Sequence, residues 1–300
     1  MGTPEFAVPS LAILLENGYD VAGVVTATDK YGGRGNKVLL ESAVKKYAVE
    51  KGIKVLQPTK LRDPAFLEDL AALKADLQIV VAFRMLPEVV WDMPNKGTFN
   101  LHGSLLPKYR GAAPINWAVI RGEETTGVTT FFIRHKIDTG DIILQREMPI
   151  GPDDTAGDVH DRMMELGAEA VLETVQMIEK DQVELQVQDH QAATKAPKLF
   201  KETCEIDFNK TSEEVHNFIR GLSPYPAAWT TLDGKQLKIL RSEVVMTMEM
   251  PSTPPGTFSS DNKSYIQVST ANGYINLLEL QLQGRKRMKV KDFLNGYTFE

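Results

Sequence analysis

Leu77-Gln78-Ile79-Val80-Val81-Ala82, Pro87-Glu88-Val89-Val90-Trp91-Asp92-Met93 and Gly97-Thr98-Phe99-Asn100-Leu101 read as an apolar strand, a short helix and a second strand. An apolar run of the first kind suits the interior of a parallel sheet, which is buried on both faces. The pattern repeats outward from it. Upstream, Pro9–Asn17 is a predicted helix stopped by Gly18, and Val21–Thr26 a β-branched strand. Ser42–Lys51 is a helix closed by Gly52, Lys54–Leu56 a short strand, and Asp63–Lys74 a helix with Asp63 as N-cap and Pro64 at its first position. Downstream come a helix at Ala113–Arg121, strands at Thr126–Ile133 and Asp141–Met148, and a long amphipathic helix at Thr155–Lys180. Alternation of strand and helix predicts an α/β sheet wound with helices on both faces.

The character changes near residue 187. Residues 187–205 are polar, helix-poor and carry Lys and Pro, which marks a linker between a domain at 1–186 and one at 206–300. After a short helix at Ser212–Gly221, strands alternate with turns: Ala228–Leu232, Gln236–Val245, Gly256–Ser259, Tyr265–Ser269 and Tyr274–Gln281. Asp233-Gly234 and Asn272-Gly273 are hairpin signals. Short strands in this number suit a small barrel such as the OB type.

The chemistry sits at the end of the central strand. If residues 98–102 end a strand, alternation puts Asn100 and His102 on one face. Ile137-Asp138-Thr139-Gly140-Asp141 brings a carboxylate from a separate segment. An amide, an imidazole and a carboxylate together suit acyl transfer: two can stabilise an oxyanion, one moves a proton, one orients and charges the ring. A histidine ending a strand is also a common structural residue, so the pattern alone does not decide. Ser104 beside His102 lacks the second glycine of a nucleophile elbow, and Pro107 stiffens a loop rather than opening a helix, which argues against a serine hydrolase. Five histidines and the single Cys204 show no metal-ligand spacing, so no metal is expected. Gly32-Gly33-Arg34-Gly35 lacks the ending of a phosphate loop, but reads as a glycine-rich loop with a guanidinium at its tip.

The segment from Asn100 through Tyr109-Arg110-Gly111-Ala112-Ala113-Pro114 to Ile142 closely resembles the folate-dependent formyltransferases. Gly2-Thr3-Pro4-Glu5-Phe6-Ala7, Asp29–Gly35 and Lys198-Leu199-Phe200-Lys201-Glu202 extend the resemblance to nearly the whole chain, and match best the members acting on methionine-charged initiator tRNA. It implies a Rossmann-like formyltransferase domain and an OB-like C-terminal domain. It implies 10-formyltetrahydrofolate as co-substrate, methionyl-tRNA as acceptor and no metal. The family's catalytic Asn, His and Asp fall on Asn100, His102 and Asp138, and its folate-contacting run on Ser104, Leu105, Leu106 and Pro107. Arg34, Arg285, Lys286 and Arg287 are the tRNA candidates. One departure is Ala82-Phe83-Arg84-Met85-Leu86-Pro87, one residue shorter than the family's pteridine loop and lacking its glycine.

Composition agrees with a globular protein: 42% apolar, 25% charged, net charge −6. The charge is uneven. Residues 195–300 hold 14 Lys+Arg against 12 Asp+Glu, a surplus of two positive charges that leaves −8 on residues 1–194. Arg285, Lys286, Arg287, Lys289 and Lys291 form a dense cluster, either a solvated loop or a phosphate-contacting strip. No apolar run is long enough to span a membrane. One cysteine suits a reducing compartment, and a cytoplasmic monomer is expected. Rival readings are a formyltransferase acting on an amino-sugar nucleotide, a hydrolase of 10-formyltetrahydrofolate and a non-enzymatic tRNA-binding protein. In the family a hydrophobic strand precedes Gly-Thr-Pro at the centre of the sheet. Here Met1-Gly2-Thr3-Pro4 opens the chain, so that strand is expected to be missing and Met1 to be an internal methionine of a longer protein.

Overall fold

A computed structural model describes residues 1–32, 35, 37–247 and 250–299. The chain forms two compact units. One comprises Met1–Gly111, Gly127–Met148 and His160–Lys195, the other Ala112–Thr126, Pro149–Val159 and Ala196–Glu300. The stretch expected to be a linker therefore divides: its residues up to Lys195 group with the first unit.

Apart from the strands β2 and β3, the first unit follows the predicted order: α1 (Val8–Glu16), β1 (Val24–Val25), β2 (Lys30–Gly32), β3 (Val38–Leu40), α2 (Ala43–Glu50), β4 (Val55–Leu56), α3 (Pro64–Ala72), β5 (Gln78–Val81), α4 (Glu88–Trp91) and β6 (Thr98–His102). Next along the chain come β7 (Arg110–Gly111), α5 (Pro114–Ile120), which belongs to the second unit, β8 (Thr125–Phe132), β9 (Ile142–Pro149) and α6 (Ala156–Glu179), most of which belongs to the first. Local chemistry sets the helix starts. Ser42 Oγ accepts from Lys45 N at 3.1 Å, and Asp63 Oδ1 accepts from Ala65 N at 3.1 Å, each satisfying an orphan amide of a first turn. β5 and β6 pair in parallel, with Val80 opposite Asn100. β8 then runs antiparallel to β6, with His102 opposite Thr129. β2 and β3 form an antiparallel hairpin in what reads from sequence as a plain loop. Its Tyr31, Val38, Leu39 and Leu40 are exposed, so burial left no mark in the sequence.

β1 pairs with β4, and β5 heads the order β5-β6-β8-β9, so the sheet is in two pieces. Met1 and Gly2 stand between them. Gly2 N donates to Val25 O at 3.0 Å, Val81 N to Met1 O at 2.9 Å, and the Met1 amine to Ile79 O at 2.6 Å. Behind this bridge lies a cavity of about 520 Å³ lined in part by Leu11, Leu14, Val24, Leu70, Leu73 and Ile79. Burial of the Met1 amine lowers its pKa from 8.0 to about 5, because an apolar surround disfavours the charged form. Val25, Leu56, Phe66, Leu70, Val80 and Val90 form a packed core of this unit.

In the second unit β10 (Lys195–Ala196) leads to α7 (Ser212–Leu222). There the Thr211 side chain accepts from Glu214 N at 3.2 Å, and Glu214 Oε2 from Thr211 N at 2.9 Å. This reciprocal cap is the one a Thr-x-x-Glu spacing produces. β11 (Ala228–Leu232), β12 (Lys235–Val245), β13 (Phe258–Ser260), β14 (Ile266–Ser269) and β15 (Tyr274–Leu282) form an antiparallel sheet in the order β11-β12-β15-β14-β13. Asp233 and Gly234 turn with φ of 48° and 71°, the left-handed pair a two-residue hairpin requires. β16 (Met288–Lys289), on β15, and α8 (Val290–Leu294) follow and were not expected from the sequence. Val215, Ile219, Leu237, Ile239, Ile275 and Phe293 are buried in its core. Among the described residues no helix is long and apolar enough to cross a membrane, and no cluster of three metal-ligating side chains occurs.

Candidate active site

β6 does what its alternation requires. Phe99 and Leu101 point to one face, Asn100 and His102 to the other, with His102 6% exposed and Asn100 half-buried. Beyond His102 the chain folds into a tied loop. Ser104 Oγ donates to Lys108 O at 2.7 Å, so its hydroxyl is engaged within the loop. Thr129 Oγ1 donates to Ser104 O at 2.6 Å and accepts from Leu106 N at 3.0 Å, while Gln145 Nε2 donates to Leu106 O at 2.9 Å. Of the four residues expected at the folate, Ser104 and Leu106 are buried and face inward, whereas Leu105 and Pro107 are half-buried.

His102 Nε2 lies 2.9 Å from the backbone carbonyl of Tyr109. A carbonyl only accepts, so Nε2 carries the hydrogen and Nδ1 is the nitrogen free to take up a proton. Nδ1 faces Asp138 Oδ2 at 3.8 Å. That is within ion-pair reach but beyond hydrogen-bond length. The carboxylate oxygen instead accepts from Gly111 N at 2.9 Å. The ring is thus oriented by the Tyr109 carbonyl, and Asp138 supplies negative charge beside it. Asp138 has a φ of 52° and Tyr109 one of 61°, a left-handed conformation uncommon outside glycine.

Residues after α6 complete this geometry, and no pattern in the sequence announced them. Thr194 O accepts from Arg110 N at 2.9 Å and Thr194 Oγ1 from Tyr109 N at 2.9 Å. Gln188, 3% exposed, donates from Nε2 to Asp138 O at 3.1 Å and to Gly140 O at 2.7 Å. Its Oε1 accepts from Arg110 Nε and Nη2 at 3.1 and 2.6 Å. Burial lowers the pKa of the Arg110 guanidinium, while the nearby Asp138 charge acts in the opposite direction. Gly140 is required by space: a Cβ there would stand 1.7 Å from Phe132 O.

In the short loop at Ala82–Leu86, Arg84 is exposed and donates to Thr59 O at 3.0 Å and to Pro58 O. Arg34 lies outside the described residues. The base of the β2–β3 hairpin is anchored by Asp29, which bonds Lys45 and, at 2.8 Å, Gln57 Nε2. Those bonds, the Lys45 one foremost, lower the Asp29 pKa. In the second unit the basic cluster is partly engaged. Arg287 makes a two-pronged pair with Glu279, 2.6 Å on each prong, and Arg285 lies 5.8 Å over the Phe293 ring and donates to Gly296 O at 3.4 Å. Lys286 is exposed. Tyr225 is 83% exposed, whereas Trp229 is half-buried and donates to Lys201 O at 2.7 Å.

The family model described as formyl transferase matches residues 1–175, and that described as formyl transferase, C-terminal domain, matches residues 198–298. The chain is 55% identical over 305 residues to a methionyl-tRNA formyltransferase of Parabacteroides distasonis, covering 99% of this chain and 94% of the relative. It is 55% identical over 302 residues to that of Flavobacterium johnsoniae, covering 100% and 95%. Among solved structures, an N-formyltransferase from Helicobacter canadensis, in complex with folinic acid and dTDP-3-aminofucose, superposes with a TM-score of 0.68 at 25% identity, covering 92% of this chain and 96% of that one. A methionyl-tRNA formyltransferase from Clostridium thermocellum superposes at 0.55 with 15% identity, covering 81% and 91%. On two family models that together span nearly all of its length, and on relatives at half identity end to end, this chain belongs to the formyl transferase family.

Proposed function

We propose that the protein transfers the formyl group of 10-formyltetrahydrofolate to the α-amino group of methionine esterified to initiator tRNA, in the cytoplasm and as a monomer. The observation that carries the acceptor is the 55% identity to methionyl-tRNA formyltransferases over both units. The amino-sugar enzymes share the fold at lower identity. The parallel β5–β6 pair and flanking helices support a Rossmann-like reading of the first unit, and the antiparallel strand order of the second supports an OB-like one.

In this reading the folate rests against Leu105 and Pro107, whose apolar surface is half open, while Ser104 and Leu106 hold the loop. The amine attacks the formyl carbon and charge develops on the formyl oxygen. Asn100, on the open face of β6, donates to that oxygen. As the tetrahedral intermediate collapses, the bond from the formyl carbon to folate N10 breaks, and the proton lost by the amine passes through His102 Nδ1 to the departing N10, since Nε2 is committed to the Tyr109 carbonyl. Asp138, 3.8 Å away, offsets the positive charge that builds on the ring. Transfer is direct, and no residue is needed as a covalent carrier. Exposed Lys286, the neighbouring Arg285 and Arg287, and Arg34 of the glycine-rich loop contact tRNA phosphates.

The test is formyl transfer from 10-formyltetrahydrofolate to charged initiator tRNA, with uncharged tRNA and a dTDP-amino sugar as parallel acceptors. Transfer to the charged tRNA alone is expected. Transfer to the sugar nucleotide, or formate release without acceptor, would reject the proposed acceptor.

A further inference from the structure

We infer that Gln188 is a positioning residue for formyl transfer, acting through Asp138 rather than on substrate; the inference rests on the catalytic role proposed for Asp138. Gln188 is nearly fully buried, and all of its hydrogen-bonding capacity is used internally. The two hydrogens of its amide go to Asp138 O and Gly140 O, at 3.1 and 2.7 Å. Its carbonyl oxygen takes two bonds from the Arg110 guanidinium, at 3.1 and 2.6 Å. A side-chain amide offers two donors and two acceptor sites, so none is left over for a ligand.

The two ends act on the same carboxylate from opposite sides. At one end, Gln188 fixes the main chain of Asp138 at a φ of 52°, a conformation that needs support from its surroundings. At the other end it holds Arg110, the residue before Gly111, whose N–H binds Asp138 Oδ2 at 2.9 Å. One side chain therefore ties both the backbone that carries the carboxylate and the peptide that aims it. His190 Nδ1, 3.0 Å from Arg110 Nη2, adds to the Arg110 end only. Gln188 is the group common to both.

Two substitutions separate the ends. Gln188→Met keeps the volume and removes all four bonds. Gln188→Glu keeps an acceptor for Arg110 but sets lone pairs against the Asp138 and Gly140 carbonyls. Both variants should lower kcat by roughly 10- to 100-fold while KM for folate and for charged tRNA stays within about threefold, as for loss of an effect felt in the transition state. The decisive measurement is a double-mutant cycle with Asp138→Ala. If Gln188 works through Asp138, Gln188→Met changes kcat by no more than about twofold in that background. An additive loss there, or a folded Gln188→Glu or Gln188→Met protein with kcat within about twofold of the parent, overturns the inference. If Asp138→Ala alone keeps full turnover, the catalytic reading fails first and the inference falls with it.

Discussion

His102 and Asp138 face each other at 3.8 Å, beyond hydrogen-bond length, and the Asp138 oxygen that faces the ring accepts from Gly111 N–H at 2.9 Å. The carboxylate acts on the imidazole as a charge, and the Tyr109 carbonyl acts as its orienting group. His102→Ala is expected to lower turnover at least ~100-fold, about 2.7 kcal/mol of barrier, with folate affinity little changed. Asp138→Asn isolates the charge. Its amide oxygen can still accept from Gly111, and Asn tolerates a left-handed φ. Single-turnover rates for the two variants should fall together, and near-normal turnover in His102→Ala would remove the imidazole from the mechanism.

Gly140→Ala is expected to cost at least about 2–3 kcal/mol of unfolding free energy, since its Cβ would stand 1.7 Å from the Phe132 carbonyl. Urea denaturation measures it. A midpoint equal to the parent's would mean that the turn has a second packing.

The basic cluster does not offer equal groups. Arg287 is committed to Glu279, which raises the pKa of the arginine and lowers that of the glutamate. Lys286→Ala should therefore flatten the log–log salt dependence of tRNA binding by about 0.7–0.9, and Arg287→Ala by less. Filter binding over a salt series checks this. Equal slopes for Lys286→Ala and the parent would leave the cluster a solvated face.

Element types were readable where burial wrote a period into the sequence. The strands of the second unit alternate because one face packs on Val215 and Ile219, and their turns carry Asp-Gly and Asn-Gly. The β2–β3 hairpin was not readable because its side chains are exposed and its loop is glycine-rich. β16 and α8 hide in a charge cluster whose composition suggests a loop. At the site, Asn100, His102 and Asp138 stood out as chemistry at a strand end and in a glycine-flanked turn. Gln188 and Thr194 did not, since each acts through hydrogen bonds made from an aperiodic polar stretch that reads as a linker.

The bonds from Gln188 and Thr194 to the loops around Tyr109 and Asp138 also fix a schedule. His102 leaves the ribosome long before Thr194 does, and strands β5 and β6 can pair as soon as both have emerged. The carbonyl that orients the imidazole and the peptide that aims the carboxylate wait for a segment some eighty residues downstream, Thr194 being 85 residues from Tyr109. Within its unit the proposed chemistry is the last thing to be assembled, so a nascent chain released short of Thr194 holds Asn100, His102 and Asp138 without the loop geometry that aligns them.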